Sequence, residues 1–98
     1  MDMLAITDQL RGKAAEAASL GATLKFDCGS DGVVVIDGRA LPCTVDNDDR
    51  ATDCTVRITL VHLVALLNGE LDPVAGFMTG KLKIEGDMSV ALKLQRLV

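Results

Sequence analysis

Aromatic residues are almost absent from the sequence, which has no tryptophan or tyrosine and only two phenylalanines, Phe26 and Phe77. The hydrophobic residues, 49% of the chain, are therefore almost all aliphatic or sulfur-containing. Proteins that hold single-stranded nucleic acid use aromatic side chains as stacking platforms. With a net charge of −4 and scattered lysines and arginines, the chain also offers no basic patch. We therefore expect no nucleic-acid partner.

Groups that carry catalysis or hold metals are also scarce. His62 is the only histidine, and Cys28, Cys43 and Cys54 show no Cys-x-x-Cys spacing, so a zinc site lacks ligands. No glycine-rich loop has the lysine and the spacing of a phosphate-binding loop. His62 lies among aliphatic residues of a predicted helix, where we expect it to be exposed or bonded to the backbone. The sequence predicts no enzymatic activity, no metal and no cofactor.

Long apolar runs are missing as well. None approaches the roughly 18 residues of a transmembrane helix, and no basic segment followed by an apolar run marks a secretory signal. An odd number of cysteines, at or near inward strand positions, is typical of buried free thiols in a reducing compartment. We expect a cytoplasmic protein with no transmembrane segment.

Alternation of apolar and polar residues is the most frequent pattern in the chain, and it predicts β-strands. Asp37-Gly38 predicts a two-residue hairpin turn, and Pro42 confines the strand that contains it to a sheet edge. The acid-rich stretch 46–53 predicts a solvated loop. Alternation predicts the strands Ala22–Cys28, Cys54–Thr59 and Lys81–Glu85. The continuous β-branched run Val33–Ile36 predicts a central strand, and the run Ala40–Val45 follows the turn.

Helix caps mark the remaining elements. Asp2 predicts a first helix that ends at Leu20-Gly21, and Thr59 predicts a helix over Leu60–Asn68. Asp72-Pro73 begins a helical turn that Gly80 ends, and Gly86-Asp87 precedes a closing helix over Met88–Leu97. Because the clearly alternating strands keep one polar face, we expect a mainly antiparallel sheet with helices over its other face. We interpret residues 1–98 as a single α+β domain.

Two of these helices are more apolar than a single sheet requires. In Leu60–Asn68 only His62 and Asn68 are polar, and in Met88–Leu97 apolar residues fill over half of the circumference. A helix on one sheet needs an apolar stripe of about 100° or somewhat more. The excess indicates a second apolar surface, provided by another element, a partner chain or a bound apolar molecule. Gln95 lies in the apolar arc and bonds either to nearby backbone or water, or to a lipid.

The segment Leu71–Gln95, LDPVAGFMTGKLKIEGDMSVALKLQ, resembles the sterol carrier protein type 2 family. It has that family's acid-Pro turn, aromatic residue, GKLKI strand, Gly-polar-Met step and the KLQ of the last helix. A second similarity is ATDCTVRIT before a helix that ends Leu-Asn-Gly, and the FDC and VVVID strands are similar more loosely. The resemblance extends over nearly the whole chain.

This resemblance implies a five-stranded sheet with helices over one face and an apolar tunnel between them. It also implies non-enzymatic binding of fatty acids, fatty acyl-CoA, sterols or related lipids. The sequence ends Arg-Leu-Val, without the peroxisomal tripeptide of eukaryotic members, which favours the cytoplasm. The ligand-binding residues that the resemblance implies are Phe77, Met78, Leu82, Ile84, Met88, Leu92 and Gln95.

Three functions are consistent with the sequence. The first is a small lipid-binding module. The second is an interaction domain, in which the excess apolar surface forms a homodimer or partner interface. The third is an accessory subunit that delivers lipid substrates to an enzyme. A lipid mass carried by a monomer would distinguish the first from a lipid-free dimer.

Overall fold

The computed structural model describes residues 2–13, 21–40 and 43–93, which form an α+β fold. A short 3-10 turn at Gly29–Asp31 joins the first two strands. In chain order, the elements are α1 (Met3–Arg11), β1 (Thr23–Asp27), β2 (Val33–Asp37), β3 (Thr44–Asp46), β4 (Cys54–Ile58), α2 (Leu60–Leu67), α3 (Pro73–Met78), β5 (Leu82–Gly86) and α4 (Met88–Lys93).

The five strands form one sheet in the order β3-β2-β1-β4-β5. The β1–β2, β2–β3 and β4–β5 pairs are antiparallel, whereas β1 and β4 run parallel. The predicted five-stranded, mainly antiparallel sheet is therefore confirmed. An edge strand follows the turn as predicted, but it is β3 (Thr44–Asp46), which overlaps the predicted Ala40–Val45 only at Thr44 and Val45. Pro42 lies outside the described residues, and β5 forms the other edge.

The core lies between the helices and one face of the sheet. Alternate strand residues such as Leu24, Phe26 and Val56 are fully buried and pack with α1 and α2. Because successive strand side chains point to opposite faces, Thr23, Lys25 and Asp27 lie on the other face. The helix residues that complete the core are Ile6, Leu10, Leu63, Leu66, Leu67, Val90 and Ala91.

The outer face of the sheet is mostly polar and is partly covered, since Val35, opposite Lys25, is fully buried there. Lys25 Nζ lies 2.9 Å from Asp49 Oδ1 and donates to the carbonyl oxygen of Arg50, also at 2.9 Å. Arg50 in turn pairs with Asp46 at 2.8 Å and holds the pKa of that carboxyl below its ordinary value. These contacts fasten the acidic loop to the sheet, whereas the sequence predicted only that this loop is solvated.

The prediction of a two-residue hairpin at Asp37-Gly38 is wrong. Asp37 still belongs to β2 and pairs with Thr44, so residues 38–43 connect the two strands. The Asp37 carboxylate accepts hydrogen bonds from the backbone N–H groups of Arg39 (2.9 Å) and Ala40 (3.2 Å). An aspartate that bonds the backbone two residues onward makes an Asx turn, which begins a longer loop at this position.

The predicted helix starts at Asp2 and Thr59 are confirmed. Asp2 Oδ1 accepts from the Ala5 N–H at 2.9 Å, and Thr59 Oγ1 accepts from the His62 N–H at 3.3 Å. α1 ends at Arg11 with Gly12 as its C-cap, so the prediction that one helix continues to Leu20-Gly21 is wrong at Gly12 and Lys13, which form a turn. Residues 14–20 of the predicted helix lie outside the described residues. The same holds for the end of the closing helix, from residue 94 onward.

Candidate functional site

α3 begins and ends where the sequence predicts. The Asp72 carboxylate accepts a hydrogen bond from the Val74 N–H at 2.9 Å, and Pro73 occupies the first turn, where no donor is required. After Met78 the backbone reverses at Gly80, which has a φ of 77°. The short helix thereby turns back into β5 and presents one side toward the space above that strand.

A close backbone approach places α3 directly on β5. Gly76 is buried, and a Cβ atom at its position would lie 3.1 Å from Leu82 Cδ2 and 3.4 Å from Leu71 Cδ1. A side chain here would therefore separate the helix from the strand. Leu82 is consequently packed in the solid core, with 2% of its surface exposed.

α4 is positioned by the turn at Gly86-Asp87. Gly86 has a φ of 94°, and the Asp87 N–H donates to the carbonyl oxygen of Asp53 at 2.8 Å. The Asp87 carboxylate accepts from the Ser89 backbone N–H at 2.9 Å and from Ser89 Oγ at 2.6 Å. Both bonds hold the pKa of Asp87 below its ordinary value. These contacts fix the start of the helix beside β5.

Together α3, β5 and α4 line an open apolar groove of about 230 Å³, referred to below as the α3–α4 groove. The groove is accessible to solvent, because Phe77, Met88 and Leu92 have 45%, 46% and 67% of their surface exposed. Every residue that lines it within the described chain is apolar. The lining residues are Pro73, Val74, Phe77, Ile84, Met88, Ala91 and Leu92.

Of the residues that the family resemblance implies, Phe77, Ile84, Met88 and Leu92 are brought together in this groove. Two others are placed elsewhere. Leu82 is buried in the core, and Met78, with 79% of its surface exposed, is not among the residues that line the groove. Gln95 lies outside the described residues, so its role stays a prediction.

Sequence reasoning missed three lining residues, Pro73, Val74 and Ala91. Their spacing from the predicted residues could have identified them. Pro73 and Val74 precede Phe77 by four and three positions, and Ala91 follows Met88 by three, so each shares a helix face with a predicted residue. The enclosed tunnel that the resemblance implies is not seen in the described residues. The described residues form an open groove, and the tunnel stays a prediction.

The environment of the single histidine, His62, differs in part from the predicted one. His62 is partly exposed, but its Nδ1 atom is buried, and in the described part of the chain no hydrogen-bond partner lies within reach of it. The expectation that His62 is exposed or bonded to the backbone is therefore only partly met. Its own backbone N–H is bonded to Thr59, whereas the ring nitrogen is not.

The cysteines are free thiols, as predicted, although they are not equally buried. Cys28 and Cys54 are buried, and Cys43 is only partly covered. Burial, followed by the charges of Asp31 and Asp27, raises the pKa of the Cys28 thiol from 9.0 to about 11. Burial likewise raises the pKa of Cys54 to about 11, and it raises the pKa of Cys43. Such thiols are poor nucleophiles at neutral pH.

These thiols predict an alkaline loss of stability. Between about pH 9 and pH 11 an unfolded chain releases thiol protons that the folded protein keeps. The free energy of unfolding therefore falls as the pH rises through this window. Thermal melts at increasing pH should show the fall, and Cys28→Ala should make it shallower than in the parent protein. Equal slopes in the two proteins would contradict the buried-thiol assignment.

A second, larger depression of about 340 Å³ lies at the carboxyl ends of the parallel strands β1 and β4. It is more polar than the groove, and its one cation, Arg57, is 3.1 Å from Glu85. Within the described residues no three histidine, cysteine, aspartate or glutamate side chains are grouped as metal ligands. The lining residues are Asp27, Cys28, Gly29, Arg57, Ile58 and Thr59.

None of the helices in the described ranges has both the length and the apolar character needed to cross a bilayer.

Comparison with known proteins identifies similar sequences and folds. Sterol carrier protein 2 of Oryctolagus cuniculus is 45% identical over 60 residues, which cover 61% of this chain and 10% of that protein. The chain thus spans about a tenth of the length of that relative. Other sterol carrier proteins 2, including those of Bos taurus and Homo sapiens, show 43% and 42% identity over 60 residues.

Solved structures share the fold. Sterol carrier protein 2 from Yarrowia lipolytica, in its apo form, superposes with a TM-score of 0.77 at 21% identity, covering 94% of this chain and 85% of that one. Palmitated SCP2L2 from Aedes aegypti superposes with a TM-score of 0.66 at 17% identity, covering 99% and 94%. The model of the SCP-2 sterol transfer family matches residues 5–98, and the chain therefore belongs to that family.

Proposed function

We propose that this protein binds lipids without catalysing a reaction, and that the α3–α4 groove holds the apolar part of the ligand. Binding and transfer of lipids or sterols is the general activity of the family. The observation that carries the proposal is the groove itself. Seven apolar residues from three elements converge there, and Phe77, Met88 and Leu92 leave about half or more of their surface uncovered. Covering such surface with an apolar molecule is favourable.

The lining restricts which part of a lipid can enter. Among the described residues it contributes no charged side chain and no side-chain hydrogen-bond donor, and an unpaired polar group would lose free energy there. The carboxylate, phosphate or hydroxyl of a ligand therefore stays at or outside the mouth. Pockets that enclose a drug-sized molecule usually measure about 300–1,000 Å³. A groove of about 230 Å³ thus fits a segment of an acyl chain or one end of a sterol.

We further propose that the ligands are fatty acids, fatty acyl-CoA, sterols or related lipids. Palmitate is a suitable first probe, because the Aedes aegypti protein of the same fold is palmitated in its solved structure. In this proposal residues 1–98 act as one domain, without a metal or cofactor, in the cytoplasm. The free thiols are in keeping with a reducing compartment.

A second candidate is a protein-interaction or homodimerisation module, and the same uncovered side chains favour it. A stable interface buries about 800 Å² on each partner, with an apolar centre. The groove and the exposed Met78 beside it could form such a centre. A variant of this candidate is an accessory subunit that receives lipid and passes it to an enzyme.

Native mass spectrometry of freshly purified protein separates these candidates. The lipid-binding proposal predicts a monomer that carries an additional mass in the range of a fatty acid or sterol, and loss of that mass after delipidation. Added palmitate should restore it, while Leu92→Glu should not take it up. A lipid-free dimer that does not take up palmitate would favour the interface candidate.

A further inference from the structure

We propose that two copies of the protein form a weak dimer in which their β5 strands pair antiparallel about a twofold axis at Ile84. β5 is an edge of the sheet, and in the described ranges no segment pairs with its outer side. An uncovered strand edge offers free backbone N–H and C=O groups to another strand. The proposal goes beyond the proposed function and does not depend on it, since it rests on the backbone and the charges of β5.

The hydrogen-bond pattern of β5 determines which backbone groups face outward. The Asp87 N–H donates to the carbonyl oxygen of Asp53 at 2.8 Å, and these two residues continue the antiparallel register of β4 and β5. Bonded and non-bonded pairs alternate along such a ladder. Lys83 and Glu85 therefore bond to β4, whereas the N–H and C=O groups of Ile84 point away from the sheet. A second β5 strand can bond to both groups.

The charged residues in and beside this strand are ordered by sign. Lys81 and Lys83 come before Ile84, Glu85 and Asp87 come after it, and all four charged residues are exposed. In an antiparallel pair centred on Ile84, Lys83 of each copy lies opposite Glu85 of the other. The next pair outward joins Lys81 to Asp87. An edge that is only protected against pairing needs charge, but it does not need this order.

The charges favour this register over its neighbours. A shift by two residues would place Lys83 opposite Lys83, or Glu85 opposite Glu85, and like charges directly opposite destabilise a strand pair. In the centred register the opposite charges add to the stability of the pair. The chain as a whole carries a net charge of −4, whereas the segment 81–87 has two lysines and two acids. Two copies can therefore approach at this edge without net repulsion between the segments.

The position of α3 leaves room for the pairing. Gly76 packs against Leu82, so α3 lies over the first residue of β5. Leu82 of one copy lies opposite Gly86 of the other, so the two Leu82 residues are separated by about 13 Å along the strands, at about 3.3 Å per residue. A helix is about 10–12 Å wide with its side chains, and α3 has only six residues. The two α3 helices therefore lie beside each other without colliding.

Sedimentation equilibrium of the full chain measures the dimer. Two paired strands of five residues make a small interface, so we expect a reversible equilibrium with a dissociation constant of about 0.1–1 mM. At the micromolar concentrations of native mass spectrometry the protein is then a monomer. A protein that stays monomeric up to about 1 mM would overturn the proposal.

Charge exchange at one cross-strand pair tests the register. Lys83→Glu and Glu85→Lys each place like charges opposite each other, and each should weaken dimerisation at least about tenfold. A mixture of the two variants should dimerise like the parent, because both pairs again join opposite charges. Arg39→Glu makes the same change in net charge as Lys83→Glu, at an exposed residue far along the chain, and should have a much smaller effect. Equal losses in these two variants, or a mixture that stays monomeric, would overturn the proposal.

Amide hydrogen exchange tests the pairing in the parent protein, without any variant. The Ile84 N–H faces outward, so its exchange should slow as the protein concentration rises into the range of the dimer. The N–H groups of Lys83 and Glu85 bond to β4 in both states, so their exchange should change much less. A dimer that leaves the exchange of Ile84 unchanged would be formed by another surface, and the proposal would be wrong.

Binding of a fluorescent fatty acid separates this proposal from the proposed function. Lys83 does not line the α3–α4 groove, so Lys83→Glu should bind the fatty acid within about twofold of the parent. Leu92→Glu should leave the dimer intact, and its loss in that variant would show a groove-centred interface instead. A dimer without any fatty-acid binding would reject the proposed function and leave the strand pairing. Fatty-acid binding by a protein that never dimerises would do the reverse.

Discussion

Leu92→Glu is expected to abolish the binding of a fluorescent fatty acid while the protein stays folded. Leu92 lines the α3–α4 groove and is 67% exposed, so its carboxylate would be solvated in the free protein. A bound acyl chain would remove that water. Desolvating a charge without a partner costs several kcal/mol, so we expect a loss of at least about a hundredfold in affinity. Fluorescence titration and a thermal melt of the same sample measure both properties.

Two further variants complete this comparison. Leu4→Glu introduces the same charge at a leucine of α1 that is 70% exposed, and it should leave binding unchanged. Leu82→Glu places the charge in the solid core, where it should unfold the protein or lower its stability by several kcal/mol. If Leu92→Glu bound the fatty acid like the parent protein, α4 would not line the binding site. The interface candidate would then be the better account of the groove.

Among the positive-φ glycines, Gly86 should cause the largest loss of stability when it is replaced by alanine. Its φ of 94° is strained for any residue with a side chain, which costs about 1–3 kcal/mol. An added Cβ would also lie 2.5 Å from the carbonyl oxygen of Asp53. We expect a total loss of about 2–4 kcal/mol in the free energy of unfolding, measured by chemical denaturation.

Gly69→Ala is the matched control for this prediction. Gly69 has a φ of 76°, but nothing lies within 4 Å of a Cβ at its position. The difference between the two variants therefore isolates the contact between Gly86 and Asp53. Equal losses in the two variants would mean that the Asp53 backbone relaxes freely. Because the same turn sets the start of α4, a folded Gly86→Ala protein should also bind the fatty acid more weakly.

Most of the fold could be predicted from local patterns. Alternation marked three of the five strands and a continuous β-branched run marked β2. The caps at Asp2, Thr59 and Asp72 each accept the backbone hydrogen bond expected of them. Local patterns failed where two conformations compete for the same residues. Asp37-Gly38 fits a tight hairpin, but its carboxylate bonds to the next backbone N–H groups and so opens a longer connection.

The site was predictable only in part. Alternation tells which face of a strand a side chain lies on, but not how deeply that side chain is buried. Leu82 and Ile84 share one face of β5, yet Leu82 is covered by the close approach of α3 at Gly76, and Ile84 reaches the groove. That approach is a tertiary contact, which no period in the sequence contains. Phe77 and Met78 differ for a simpler reason. They are neighbours on a helix, so they point about 100° apart, and only Phe77 faces the groove.

The most direct test of the central claim uses the methionine methyl groups as reporters of where the lipid binds. The chain has four methionines, including Met88 in the groove and Met3 on α1, which packs against the core elsewhere. Spectra of protein labelled with ¹³C at these methyls would be recorded with a fatty acid that carries a nitroxide near its chain end. Binding in the α3–α4 groove predicts strong broadening of the Met88 signal and an unchanged Met3 signal. A bound fatty acid that leaves Met88 sharp, or that broadens Met3 instead, would contradict it.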